Sequence, residues 1–398
     1  MTLPLLNAAD EEALDAILAV RPVWRSLKKA GDAIGLGRET LLHAGPAFVS
    51  VDGITRPIRN SACIAAVIEE LAPDFEAAAS AIDTGEISLQ PAQDYGVVTP
   101  LAAVVSSSMW LHEVVNTKDP SHTAFAPING GNGPAMRLGF CNDDVLAHIL
   151  WLNGPFAEAL AAAQTEDVDL IALAAHGLAE GDDCHGRTMA ATAELVRQLA
   201  PAIDHNIEAR KFLDDGPSFF LNLWMAACKC VFAAAVGTTG SCVVTAAGSN
   251  GATSGIQIAG TRGRWYTAPA DPPKGDLGGV PKDRALGAIG DSAIVDVAGF
   301  GAMAMSFSPA QKEGLGLYMP DDGLDLPELL LSRIHPGFGK LGLRMGLSAR
   351  HIVASGRTPV ISLGILDTKG EAGRLGGGIY QIPSQPFAQA VETVDDTE

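Results

Sequence analysis

The sequence predicts an α/β fold, α+β-like in character, in which two mixed segments, 1–140 and 239–398, pack together with an all-helical unit, 141–238, inserted between them. Three observations predict it. Short β-rich runs bounded by Gly and Pro alternate with amphipathic stretches in both outer segments. Helical periodicity runs almost unbroken from 142 to 238. The chain has 398 residues, 47% hydrophobic and 18% charged. That is ample core material, and more chain than the roughly 250–300 residues at which single cores stop growing.

Residues 7–20 read as a helix, with Asn7 as cap, acids in the first turn and Pro22 after the exit. "LLHAGPAFVSV" (41–51) reads as strand and turn. "SACIAAVIEELA" and "DFEAAASAIDTG" read as two helices, the second stopped by Gly85. "YGVVTPLAAVV" and "WLHEVVN" read as strands, and "PINGGNGPAMRLG" (127–139) as a Gly-rich loop. The helical unit divides into 144–164, 168–179, 187–199, 207–213 and 219–236. Strand signals return in "SCVVTAA", "GIQIAG" and "RWYTA". A small-residue helix is expected over 293–306, and late strands in "TPVISLGIL" and "GGIYQIP". The terminal "VETVDDTE" reads as a solvated acidic tail.

Net charge is −19, from 27 basic and 46 acidic residues. That argues against nucleic acid or an anionic membrane as partner. It leaves room for a small anionic substrate, because a pocket can be positive on an acidic protein. The start of the chain carries no basic, apolar export signal, so a cytoplasmic protein is expected. Six cysteines without framework spacing (Cys63, Cys141, Cys184, Cys228, Cys230 and Cys242) are expected to be reduced. The apolar run 219–237 contains Asn222 and Lys229, which favours a buried core helix over a membrane span.

The densest chemistry lies in "EGDDCHGRTMAAT" (180–192). Asp182 and Asp183 suit a helix start, and Asp183 and Arg187 can pair four residues apart. Adjacent Cys184 and His185 would diverge on a helix, and no second Cys/His pair has chelating spacing, so no metal is expected. Cys184 is either a nucleophile or a packed thiol. His185 suits proton transfer, with Asp183 orienting it. In "SFFLNLWMAACKC", Ser218, Asn222 and Lys229 share one helix face. The lysine either serves an anion pocket or pairs with an acid. Asn250-Gly251 reads as hairpin chemistry that can also approach a ligand. Asp291 or Ser292 caps a helix whose first turn suits an anion. Asp296 is a lone acid in an apolar run, with Lys229 or Arg187 as candidate partners. No phosphate-loop, G-x-S-x-G or H-E-x-x-H motif is present. "GEAGRLGGG" (370–378) runs into a strand rather than a helix, so no dinucleotide or other cofactor is expected.

"LLHAGPAF", "GVVTPLAAVVSSSM", "GDDCHGRTMAAT", "FFLNLWMAACK", "SNGATSGIQIAG", "WYTAPA", "IGDSAIVDVAGFGAMAM" and "TPVISLGILD" follow one another between 41 and 367. This ordered set resembles the YahG/YlbE-like family, which includes a subunit of oxamate carbamoyltransferase from anaerobic allantoin degradation. The resemblance implies carbamoyl transfer between oxalurate and phosphate, giving oxamate and carbamoyl phosphate. It also implies partner subunits, one with a CoA-ligase-like fold; a homo-oligomer stays open. The chain carries Gly186, Ser249 and Asp296 where the family usually has Asn, Arg and Glu. On this reading His185, Asp183, Cys184 and Lys229 carry the chemistry. Arg187, Asn222, Asn250, Gly251, Asp291, Ser292, Asp296 and Asn129 hold a small carbonyl-bearing anion. An amidohydrolase using the same pocket, and a non-catalytic subunit completing a partner's site, are the alternatives.

Overall fold

A computed structural model describes residues 5–131 and 133–396. It shows a mixed α/β architecture of several small, mainly antiparallel sheets. One runs in the order Thr123–Pro127, Trp110–Asn116, Pro22–Lys29 and Val168–Asp169. A second runs Ile289–Gly290, Val244–Asn250, Thr253–Ile258 and Tyr266–Pro269. A third runs Lys274–Gly275, Arg374–Gln381 and Val360–Leu366. Thr40–His43 and Ser88–Pro91 form a parallel pair. One contiguous apolar core extends from Ala13 to Val394.

The helix Phe219–Ala233 packs on strands of both the first and second sheets. Its buried surface includes Phe219, Phe220, Trp224 and Phe232, which explains its apolar run without a membrane. Among the described residues, Asp143–Ala163 has the length and apolarity of a membrane span by composition. It is interrupted at Leu152–Phe156 by a π turn carrying Pro155, which has no N–H to continue the ladder.

The expected cap at Asn7 accepts from Asp10 N, and Asp74 and Asn142 cap their helices likewise, accepting from Ala77 N and Val145 N. Other elements differ from expectation. The run 96–109 makes only isolated bridges, Val97 to Phe125 and Leu42 to Val105, and Leu101 adopts a φ of 48°. The helix expected over 293–306 stops at Val297, because Gly299 and Gly301 take φ of 107° and 58°. Gly301–Phe307 continues as a 3₁₀ segment. The expected acidic tail is instead helical over Gln385–Asp395, with Val394 buried and Asp395 paired to Arg350; its last two residues lie outside the described ones.

Buried carboxylates join the distant segments. Asp10 accepts from Ser241 Oγ (2.8 Å), Cys242 N (2.7 Å) and Ser348 Oγ (2.6 Å). Asp291 accepts from Gly45 N (2.9 Å), Gln93 Nε2 (2.8 Å), Thr99 N (3.0 Å) and Thr99 Oγ1 (3.1 Å). Both bring the N-terminal and C-terminal segments into direct hydrogen-bonded contact. Asp10→Ala would remove the buried acceptor shared by two hydroxyls and an N–H in the core. It is expected to cost about 3 kcal/mol, read as a lowered urea midpoint; a midpoint equal to wild type would contradict this role.

Candidate active site

The 181–188 stretch is a knotted turn rather than a helix start. The helix Leu170–Ala179 ends before Gly181, at φ 92°. Asp183 Oδ1 then accepts from His185 N (2.9 Å) and Arg187 N (2.8 Å), the pattern in which an aspartate folds its own backbone into a turn. Cys184 is left at φ 63°. Gly301 N donates to Asp183 O at 2.7 Å and docks the turn on the C-terminal segment. Asp182 Oδ2 accepts from Ala191 N (3.0 Å) in the first turn of Met189–Ile203. Asp183 Oδ1 and Asp182 Oδ2 thus position backbone, while Asp182 Oδ1, rather than Asp183, faces Arg187 Nε at 3.5 Å.

The turn presents His185. Its Nδ1 lies 2.5 Å from Asp296 Oδ2, while Asp296 Oδ1 accepts from Ala302 N (2.8 Å) and Ser362 N (3.1 Å). Asp296 is 0% exposed. Burial works against a charged imidazole, but the adjacent Asp296 charge and hydrogen bond outweigh it, so His185 titrates above its ordinary value. With Nδ1 engaged, Nε2 is the ring nitrogen left for a substrate. Gly301 makes the pair possible, since a Cβ there would lie 2.4 Å from Asp296 Oδ1 and 2.8 Å from His185 Cβ.

His185 opens on a cleft of about 260 Å³. Arg137 and Arg374 also line it, together with Asn129, Asn222, Ser292, Gln311 and Ser362. None of the described lining residues is Asp or Glu. Arg137 Nη1 donates to Asn129 Oδ1 (3.1 Å) and Gly130 O (2.9 Å), and Nη2 to Gly131 O (2.7 Å). Asn222 Nδ2 in turn holds Asn129 O at 2.7 Å. Burial, with the Arg374 charge added, pulls the Arg137 guanidinium down to about 10. Burial also lowers Arg374, whose Nε donates to Gly376 O at 3.0 Å. Neither guanidinium makes an ion pair among the described residues, so both retain charge for an anion.

Of the residues the sequence singles out, His185, Gly186, Asn129, Ser218, Asn222 and Ser292 line this cleft, with Asp296 behind the histidine. The others lie elsewhere. Asp183 binds the His185 backbone, and Asp296 rather than Asp183 bonds its ring. His185, not Lys229 or Arg187, is thus the partner of Asp296. Cys184 is fully buried, with Sγ 3.5 Å from Ala174 O. Burial and the charges of Asp183 and Asp182 push its thiol well up, which disfavours a thiolate nucleophile. Arg187 lines a separate surface hollow with His176, Glu180 and Arg197. Lys229 is buried away from the cleft lining, where burial lowers it to about 8 against the pull of Asp291 and Asp94. Burial raises Asp291 to about 6, and its oxygens are occupied by the segment contacts above. Asn250 and Gly251 form the hairpin corner, with Asn250 Oδ1 accepting from Ala252 N and Thr253 N. Arg137 and Arg374, the two cations of the cleft, escape the sequence reading because both lie in Gly-rich stretches. Their one signal is an arginine within "NGGNGPAMRLG" and another within "GEAGRLGGG", each among turn-forming glycines.

Among the described residues no group of three or more His, Cys, Asp or Glu gathers as a metal would need. A family model described as oxamate carbamoyltransferase subunit AllG matches residues 87–292. The oxamate carbamoyltransferase subunit AllG of Escherichia coli (strain K12) is 31% identical, covering 98% of this chain and 97% of the relative. The chain belongs to the AllG family. A second relative from that organism, the uncharacterized protein YahG, is 30% identical over 97% of this chain and 85% of its own length. A crystal structure of a conserved protein of unknown function from Enterococcus faecalis V583 superposes with a TM-score of 0.90 at 27% identity, covering 98% of this chain and 97% of that one.

In this AllG-family chain the Asp296→Asn variant tests the histidine pair. An amide cannot supply the charge that overcomes burial, so the His185 pKa should fall below its ordinary value of 6.5. Wild-type His185, raised above 6.5, adds stability that is complete below pH 6.5 and lost as pH rises through its folded value. The variant should lose that contribution. NMR titration of the His185 ring checks both statements; an unchanged titration in the variant would refute the coupling.

Proposed function

We propose that the chain acts on a small anionic, carbonyl-bearing substrate in the Arg137/Arg374/His185 cleft, by carbamoyl transfer of the oxamate carbamoyltransferase type. The observation that carries the reading is a cleft lined by two guanidiniums and a charge-coupled histidine, with no described acidic residue, on a chain of net charge −19. The name of the AllG relative supports the reaction type, and its description as a subunit supports a partner subunit for this chain.

Carbamoyl transfer needs a cradle for anions, stabilisation of a developing oxyanion, and a group to move a proton. In the direction that cleaves oxalurate, a phosphate oxygen attacks the ureido carbonyl carbon. The C–N bond to the oxamate nitrogen then breaks, giving carbamoyl phosphate and oxamate. The proton carried by monohydrogen phosphate ends on the leaving nitrogen, and His185 Nε2 relays it, with Asp296 stabilising the imidazolium between the two transfers. Arg137 and Arg374 hold the anionic groups and offset the charge that builds on the carbonyl oxygen. Among the described residues no serine or cysteine lies within hydrogen-bond distance of Nε2, which supports direct transfer between substrates over a covalent enzyme intermediate.

Arg374→Met is the clean test, because Arg374 supports no ion pair among the described residues and its loss leaves none of them as an unpaired buried charge. Phosphate-dependent release of oxamate from oxalurate, measured on the purified chain with its co-purifying subunits, should fall by about 100-fold or more. The melting midpoint should stay level or rise as repulsion between the guanidiniums is relieved. Wild-type turnover in the variant would overturn the site. Turnover that ignores phosphate would identify a hydrolase instead.

A further inference from the structure

Three neutral polar groups in the same cleft take no part in the network around Arg137 and His185. Ser292 and Ser362 are each 4% exposed and line the cleft, and neither hydroxyl hydrogen-bonds another described residue. Both hydroxyls are therefore free to pair with a ligand that enters the cleft. The third group is the Gln311 carboxamide, on the short helix Pro309–Leu315.

Gly186 shows how two of the three converge. A Cβ at Gly186 would lie 2.8 Å from Gln311 Oε1 and 3.0 Å from Ser362 Oγ. The carboxamide and the hydroxyl therefore flank one small space, kept open because residue 186 has no side chain. Gly186 does not sit in the left-handed region, so the missing side chain and not the backbone is what this position supplies.

The chemistry of these groups differs from that of the arginines. Guanidiniums only donate, so they suit a carboxylate or phosphate, which only accepts. A primary amide has both a carbonyl acceptor and N–H donors. It needs a wall that can donate and accept at once, which hydroxyls and a carboxamide can do. We propose that Ser292, Ser362 and Gln311 read the uncharged amide or carbamoyl end of the substrate, so that the cleft selects a small amide-bearing acid over the corresponding diacid. This rests on the cleft being the substrate site, as proposed above.

Oxamate and oxalate form a matched pair of probes, since they differ by an amide in place of one carboxylate. Calorimetric titration of the full chain should show tighter binding of oxamate. Ser362→Ala and Gln311→Leu should each weaken oxamate roughly three- to tenfold, as expected for one lost hydrogen bond, and leave oxalate within about twofold. Gly186→Ala, which fills the space itself, should weaken oxamate at least as much. Ser362→Ala removes no intramolecular bond, so its melting midpoint should match wild type. Equal affinity for the two acids, or variants that weaken both alike, would overturn the proposal while leaving the anion cleft standing. Binding of both acids that is lost in Arg374→Met yet unaffected by Ser362→Ala and Gln311→Leu would do the same. Failure of wild type to bind either acid would overturn the cleft as the substrate site, and this proposal with it.

Discussion

The Asp296 carboxylate is the constraint on which the site depends. It is fully buried, so each of its oxygens must be satisfied by the protein. One oxygen takes His185 Nδ1, and the other takes Ala302 N and Ser362 N. These three partners belong to the 181–188 turn, the 3₁₀ segment Gly301–Phe307 and the strand Val360–Leu366. A single side chain thus sets the tautomer of the histidine, anchors the strand that carries Ser362, and joins the helical part of the chain to its C-terminal part. Gly301 and the Asp183-organised turn are the local geometry that this carboxylate requires.

Charge is arranged against the average of the molecule. A chain of net charge −19 carries a cleft whose lining is cationic and neutral. Two desolvated guanidiniums near one another cost stability in the absence of a ligand, and Arg374 lowers the proton affinity of both Arg137 and His185. An anion entering the cleft offsets that cost, so binding and local stability are coupled. The acidic exterior disfavours polyanions, while a small anion can reach the cleft's local field.

The legible parts of the fold were those written in local chemistry. The cap at Asn7, the Asn250-Gly251 corner and the apolar helix at Phe219 all follow from residues within a few positions of one another. Elements shaped by long-range packing were less legible. Nothing local marks Leu101 for a positive φ, and the apolar pattern over 293–306 hides the break that Gly299 and Gly301 impose. The site divides the same way. His185 stands out by composition, and Asp296 stands out as a lone acid, but their pairing spans 111 positions. Arg137 and Arg374 belong to Gly-rich stretches whose local pattern speaks only of turns, and their meaning comes from the cleft that the tertiary fold places between them.

The central claim is that one cleft, built on the His185–Asp296 pair, receives a small anion at Arg137 and Arg374. A crystal structure of the chain grown with oxamate tests it most directly. The account predicts density for the carboxylate against the two guanidiniums, with the amide end within hydrogen-bond reach of His185 Nε2 or the Ser362 hydroxyl. Density confined to another surface, or an empty cleft at a saturating ligand concentration, would contradict it.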